Sequence, residues 1–157
     1  MAGPTHPEER LAELGLKLPD VPKPAGAYVP ALRNGSLVYT SGQLPFVDGK
    51  LPATGKVGSD VSAADAAGLA RICALNALAA VVSLTGSLSA VRRVVKVTGF
   101  VASAPDFTGQ PQVINGASEL LLEIFGEAGR HARSAVGTAV LPRDAPVEVE
   151  LIVEIAG

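Results

Sequence analysis

Two side chains of opposite charge near the C-terminus have the types and positions expected of a site for a small anion. Arg133 stands at the start of one apolar stretch, and Glu148 stands at the start of the next. A guanidinium offers a planar, permanently charged fork that matches a carboxylate. A carboxylate nearby can orient or activate a water molecule. The pair therefore predicts a site for a small anionic substrate.

Three further side chains invite a chemical interpretation, and for each of them we prefer a structural one. His131 lies two residues before Arg133, where a general base would be convenient, but we interpret it as a structural or rim residue. Cys73 lies among small residues at helical spacing, which favours an inert buried thiol over a nucleophile. Ser41 is followed by Gly-Gln, so it lacks the pattern of a nucleophile elbow.

The chain offers few ligands for a metal ion. It contains one cysteine and two histidines. Structural zinc sites usually take four cysteine or histidine side chains, so such a site is not expected. A single cysteine also excludes a disulfide within the chain.

The composition is that of one globular domain without a basic surface. The chain has 157 residues, of which 48% are apolar and 18% are charged. The net charge is −2 and the isoelectric point is about 5.7. No basic run is longer than Arg92-Arg93, whereas nucleic-acid-binding proteins normally carry a basic stripe. We therefore predict a single domain over residues 1–157 that has no nucleic-acid partner.

No segment has the pattern of a membrane anchor or a signal sequence. The longest apolar stretch, around residues 74–84, is interrupted by Asn76 and Ser83 and is too short to cross a bilayer. Met1 is followed by Ala-Gly-Pro-Thr instead of a basic and then an apolar segment. These features predict a cytoplasmic protein without a membrane partner.

The spacing of apolar residues, caps and turns predicts an α+β domain. Ser62 begins a Ser-x-x-Asp cap before a long helix, Asn34-Gly35 is a strong hairpin signal, and a Thr-x-x-Glu capping box at Thr5 predicts a short N-terminal helix. We predict strands over residues 27–32, 37–41, 91–102, 134–140 and 147–155, and long helices over residues 63–84 and 110–125. Strand–helix–strand crossovers beside hairpins indicate a mixed β-sheet with two helices packed on one face. The other face is apolar and uncovered, which predicts burial against other subunits.

The register of the last two strands bears on whether Arg133 and Glu148 can act together. If these strands pair directly through the turn at residues 142–146, Arg133 lies opposite Glu154. Glu148 is then about 20 Å away, at about 3.3 Å per residue. One small substrate does not span that distance, so the two residues would meet only across a subunit interface. If another strand lies between them, the register is free.

Four segments together resemble the reactive intermediate deaminase (Rid) family, which is also called YjgF-like or L-PSP endoribonuclease-like. They are Ala27–Ala31, Tyr39–Gln43, Ala132–Val136, and Leu141-Pro142 followed by Val147–Glu150. Each segment is weak alone, and their order and spacing make the resemblance specific. It extends from about Pro24 to Ile155, so residues 1–23 form an N-terminal extension.

The resemblance implies a chorismate-mutase-like protomer, assembled as a homotrimer with clefts between subunits. It implies hydrolysis, without a cofactor, of an enamine or imine that bears a carboxylate, to a 2-oxo acid and ammonia. In members of the family, the arginine that matches Arg133 grips the substrate carboxylate. The glutamate that matches Glu148 positions the attacking water.

The resemblance also implies residues that line or support the pocket. Tyr28 and the backbone of Ser41-Gly42 match positions that line the pocket of the family, and a glycine lets a ligand approach the chain closely. Asn115 stands where the family tends to have an asparagine, and we assign it to the substrate-binding set as a support for the arginine-bearing segment. Ala135 differs from the cysteine that close relatives often have two residues after the arginine.

Two other functions stay open at this point. The same cleft would serve a regulatory module that binds a small carboxylate without turnover. The family has also carried a ribonuclease label, against which the acidic isoelectric point and the lack of a basic stripe argue.

Overall fold

A computed structural model of the chain describes residues 6–21, 23–24 and 26–157. Its helices are α1 (Pro7–Glu13), α2 (Ala63–Thr85) and α3 (Gln110–Phe125), and three short 3₁₀ turns lie elsewhere in the described chain. Its strands are β1 (Ala31–Asn34), β2 (Leu37–Thr40), β3 (Val91–Ala102), β4 (Ala132–Thr138) and β5 (Val147–Ile155). The predicted α+β class is confirmed.

The five strands form one mixed sheet in the order β1-β2-β5-β3-β4. β3 and β4 run parallel, and the other neighbours run antiparallel. Direct pairing of the last two strands is therefore wrong, because β3 lies between them. Arg133 is registered with Val97 of β3, and Glu148 is registered with Phe100 of the same strand.

Two strands, β1 and β4, were predicted with wrong bounds at both ends, where pairing depends on a distant partner, and β2 ends at Thr40 instead of residue 41. β1 begins at Ala31 instead of residue 27, because the preceding segment bonds to the end of β2: the Val29 carbonyl accepts from Ser41 Oγ, and the Pro30 carbonyl from Ser41 N. β4 covers residues 132–138 instead of 134–140, since its ladder with β3 ends where Ala102 meets Thr138.

Both long helices pack on one face of the sheet, as predicted. The N-terminus of α2 is capped by Ser62, whose hydroxyl accepts from the Asp65 backbone N–H at 3.1 Å. The two helices approach closely at Gly116 of α3, where the missing side chain makes room for the Ala67 carbonyl of α2. A Cβ atom at this position would collide with that carbonyl. The inward residues of β5 are buried against them: Val147, Val149, Leu151, Val153 and Ile155.

α2 is also the one helix in the described chain that is long and apolar enough to cross a membrane by length and composition. Of its apolar window, 61% is buried inside the fold. A core helix of a soluble protein passes the same test, so this finding is weak evidence for a membrane span.

The opposite face of the sheet carries no helix in the described chain. Leu32, Tyr39 and Val136 are exposed there, beside half-buried Phe100 and Ile152. Each of the five strands contributes one of these apolar residues, and charged side chains such as Glu148, Glu150 and Lys96 lie between them on the same face.

The N-terminal extension is fixed to the helical layer. Leu11 of α1 is buried, and Arg10 Nε donates to the Glu123 carbonyl at 3.1 Å. The Glu8 carboxylate accepts hydrogen bonds from the hydroxyl groups of Ser87 and Ser89 and from the Ser89 backbone N–H. Burial alone would raise the pKa of Glu8, but these hydrogen bonds outweigh it and lower the pKa to about 2. Thr5, the first residue of the predicted capping box, lies outside the described residues.

Candidate functional site

Three of the predicted site residues meet at one end of the sheet. Tyr28, Gly42 and Glu148 line one cavity of about 920 Å³, and we call these three residues the carboxylate half-site. Glu148 alternates along β5 with buried Val147 and Val149, so its side chain leaves the strand on the face away from the helices.

Gly42 lies directly beneath the Glu148 carboxylate. A Cβ atom at this position would collide with Glu148 Oε1, so any larger residue would displace the carboxylate. The close approach results from a bulge: between the pairs Tyr39–Ile152 and Gln43–Val149, the β2 side has one residue more than the β5 side. The glycine therefore makes room for the carboxylate itself.

Ser41 supports the half-site and does not line its cavity. Its hydroxyl donates to the Val29 carbonyl at 2.6 Å, and its backbone N–H donates to the Pro30 carbonyl at 2.8 Å. These two bonds hold the segment that carries Tyr28, a residue that is 54% exposed. The role that the structure gives to Ser41 is thus to hold this segment.

The carboxylate of Glu148 is available for chemistry. It accepts no hydrogen bond and forms no ion pair within the described part of the chain. Burial raises its pKa, and the neighbouring Glu150 carboxylate raises it further. A carboxylate with a raised pKa is better matched to proton transfer near neutral pH than an ordinary one.

The N-terminal extension forms one wall of the same cavity. The wall comprises Leu18, Pro19, Asp20, Val21, Lys23 and Pro24. The extension thus passes from the helical layer, where α1 is fixed, to the cavity that holds Glu148. Sequence analysis gave the extension no role, because its path over the fold depends on the docking of α1.

Arg133 and Asn115 lie elsewhere, at the edge of the sheet between β4 and α3. Arg133 Nη1 donates to Asn115 Oδ1 at 2.7 Å and to Ser118 Oγ at 3.3 Å. His131 contacts the same serine, with Nε2 at 2.8 Å from Ser118 Oγ. We call these four residues the guanidinium half-site. Asn115 holds the arginine, as expected of a supporting residue.

The hydrogen bonds of His131 define the direction of this network. Its Nδ1 lies 2.6 Å from the Gly129 carbonyl, which can only accept, so Nδ1 carries the proton in the neutral ring. Nε2 is then an acceptor for the Ser118 hydroxyl, and the lone pairs of that oxygen accept from Arg133. His131 is structural, as interpreted from the sequence, and the structure adds that it orients Ser118 toward the arginine.

The two half-sites do not meet within one protomer. Their registers on β3, at Val97 for Arg133 and at Phe100 for Glu148, are three residues apart. That is roughly 10 Å along the sheet and roughly 10 Å across two strand spacings. The side chains also leave opposite faces, because Arg133 contacts α3 and Glu148 points away from the helices.

Two residues of these sites were missed in the sequence analysis. Ser118 lies three residues after Asn115, and that helical spacing could have indicated a second contact for Arg133. Arg143 lines the cavity with Glu148, but nothing in the sequence places it there. Cys73 is fully buried, and burial, followed by the charge of Glu148, raises the pKa of its thiol, which fits the predicted inert role.

Among the described residues, no three His, Cys, Asp or Glu side chains are close enough together to hold a metal ion.

Comparisons with known proteins agree with the fold. Residues 8–155 match the profile of the family described as "YjgF/chorismate mutase-like, putative endoribonuclease". Protein TCP17 of Trypanosoma cruzi is 45% identical over 146 residues, which cover 92% of this chain and 91% of that protein. The 2-iminobutanoate/2-iminopropanoate deaminase of Salmonella typhimurium is 36% identical over 133 residues, 85% of this chain and 91% of the deaminase.

A solved structure extends the likeness to three dimensions. The crystal structure of the protein Atu1372 of Agrobacterium tumefaciens, whose function is unknown, superposes with a TM-score of 0.89 at 52% identity. The match covers 96% of this chain and 92% of that one.

Proposed function

Since the chain belongs to the YjgF/chorismate mutase-like family, we propose that it hydrolyses enamines or imines of amino acids to 2-oxo acids and ammonia. The observation that carries the proposal is the Glu148 carboxylate, which has no hydrogen-bond or ion-pair partner among the described residues and lies in a cavity, against Gly42, with a raised pKa. The name of the Salmonella relative, a deaminase of two short-chain imino acids, supports this reaction class.

The proposed reaction needs three things: a hold on the substrate carboxylate, a positioned water, and proton transfer to nitrogen. Arg133 supplies the first, because Asn115 and Ser118 already hold its guanidinium in place. Glu148 supplies the other two. With the substrate bound as its protonated iminium ion, Glu148 accepts a proton from water as the oxygen adds to the iminium carbon, which gives a neutral carbinolamine.

The second half of the reaction returns the enzyme to its starting state. Protonated Glu148 delivers its proton to the nitrogen of the carbinolamine. The C–N bond then breaks, and the departing ammonia takes up the proton that the hydroxyl loses as the carbonyl forms. The net change is iminium plus water to 2-oxo acid plus ammonium, and no cofactor takes part in it.

We further propose that a complete site combines Glu148 of one protomer with Arg133 of another, within a homotrimer. The separation of the half-sites and their placement on opposite faces supports this arrangement. The uncovered apolar face of the sheet, with exposed Leu32, Tyr39 and Val136, supports self-association.

The test of the reaction is a turnover assay with imines generated in situ from several amino acids, followed by ammonia release and by trapping of the imine with semicarbazide. We expect the protein to lower the amount of trapped imine. A protein that binds 2-oxo acids in calorimetry but leaves the rate of imine decay unchanged would instead be a binding module.

A further inference from the structure

Arg143 places a guanidinium group in the cavity that Glu148 lines. Its guanidinium carbon lies 5.5 Å from the centroid of the Phe46 ring, and both residues line the cavity. Four carboxylate or ammonium side chains share the lining, those of Asp20, Lys23, Asp48 and Glu148. Within the described chain, no carboxylate forms an ion pair with Arg143.

The backbone at Arg143 is unfavourable for an arginine. Its φ is +58°, and that of Asp144 is +57°, which is the left-handed region that suits glycine. The loop is held in this shape by Asp144, whose carboxylate pairs with Lys56 Nζ at 2.9 Å and whose carbonyl accepts from Gly55 N at 2.9 Å. Such strain persists only where neighbouring contacts fix it, and it is concentrated at functional sites.

A guanidinium that is held over an aromatic ring can still bind a ligand through its N–H groups. The Phe46 face attracts the cation but leaves the in-plane N–H donors free for an oxyanion. Since Arg143 and Glu148 line the same cavity, one substrate molecule can contact both side chains.

We propose that Arg143 binds a second acidic group, at the far end of the substrate. The inference rests on the proposed function: Arg133 of a neighbouring protomer takes the carboxylate next to the imine carbon, and Arg143 takes the one on the side chain. The substrate class is then an imine of a dicarboxylic amino acid, and the product is a 2-oxo dicarboxylate.

The experiment compares the binding of 2-oxoglutarate and 2-oxobutanoate by calorimetry. We expect the wild-type chain to bind the dicarboxylate roughly tenfold more tightly, as one charged hydrogen-bonded contact allows. Arg143→Gly should remove this preference and leave 2-oxobutanoate binding unchanged. Glycine adopts a φ of +58° without strain, so this variant keeps the loop folded.

Two controls fix the interpretation. Arg92→Gln removes the same charge from an exposed position that does not line the cavity, and it should keep the preference. Arg133→Gln should weaken both ligands alike. Equal loss of both ligands in Arg143→Gly, or no loss of either, would overturn the assignment.

Binding separates this inference from the proposed reaction. If the chain prefers the dicarboxylate through Arg143 but turns over no imine, the second anion site is supported and the proposed deaminase activity is refuted. If the chain turns over imines but shows no preference for the dicarboxylate, the deaminase activity is supported and the role of Arg143 is refuted.

Discussion

The two half-sites differ in how their charged groups are held. The guanidinium of Arg133 is fixed by Asn115 and Ser118, and the serine is itself oriented by His131. The Glu148 carboxylate has no partner of this kind in the described chain and lies against Gly42. Under the proposed function, the guanidinium half-site binds the substrate carboxylate and the carboxylate half-site exchanges protons.

The two half-sites also differ in how the charge of their main residue responds to pH. Burial, with a smaller contribution from Glu150, raises the pKa of Glu148. An arginine is permanently charged, so the charge of the Arg133 guanidinium does not change with pH in this way. Changes to the two halves should therefore have effects of different kinds, and experiments can separate them.

The largest effect is expected at the carboxylate. Glu148→Gln should reduce kcat by about 10²- to 10⁴-fold, the usual contribution of a general base, while calorimetric affinity for a 2-oxo acid is retained. In the wild-type chain, kcat should fall as the pH drops through the raised pKa of Glu148, because only the ionised carboxylate accepts the proton from water. Glu154→Gln, on the same face of β5, is the matched control. If it reduced kcat as much, the assignment of Glu148 would be wrong.

At the guanidinium, the expected loss is mainly in binding. Arg133→Ala should reduce kcat/KM by about 100-fold, and Arg133→Lys should recover little, because an ammonium does not reproduce the planar fork. Circular dichroism should show an unchanged fold, since the side chain is only partly buried at the edge of the sheet. Rates near that of the wild type in both variants would refute the role of Arg133.

Mixing an Arg133 variant with a Glu148 variant tests whether the two residues of one site come from different chains. After subunit exchange between Arg133→Ala and Glu148→Ala, about one quarter of the clefts in a closed oligomer should contain both intact residues. Activity should recover to a comparable fraction. Light scattering and a tag on one variant would establish that the subunits assemble and exchange. No recovery despite exchange would place the whole site within one protomer.

A smaller effect is expected at Ser118, which sharpens the comparison. Ser118→Ala removes the longer of the two hydrogen bonds to Arg133 and should raise KM roughly threefold to tenfold, with little change in kcat. Ser83→Ala is the matched control, because that hydroxyl bonds only to the Ala80 carbonyl of its own helix. A change in kcat at constant KM would contradict a positioning role.

The smallest effect is expected where the extension is fixed. Glu8→Gln weakens the bonds from Ser87 and Ser89 and should lower the free energy of unfolding by about 1 kcal/mol at neutral pH, since the side chain is exposed and screened. Because folding lowers the pKa of Glu8 from 4.5 to about 2, the difference should disappear as the pH falls between these values. Glu9→Gln is the control in the same turn, and an equal loss there would remove Glu8 from the anchor.

Local patterns predicted much of the fold. The bounds of β3, α3 and β5 agree with the sequence prediction, and α2 differs by one residue at its C-terminus. These elements carry their own signals: the Ser62 cap, the glycine stops and the strict alternation along β5. β1 and β4 were placed less well, because their bounds depend on where a partner strand or a neighbouring segment accepts their hydrogen bonds.

The candidate site divides in the same way. Sequence alone identified the residues that we propose for the chemistry, since the charge of Arg133, the acidity of Glu148 and the missing side chain of Gly42 are properties of the residue types. It also indicated that Asn115 supports the arginine. It did not place Ser118, Arg143 or the extension at either half-site.

Only the tertiary structure decided how the charged residues are arranged. The insertion of β3 between β4 and β5 places Arg133 and Glu148 on opposite faces of the sheet. The physical reason is that strand order and register are set by contacts between residues far apart in the chain. A shift of one residue moves a side chain to the other face, so the residue types alone do not determine which charged groups can meet.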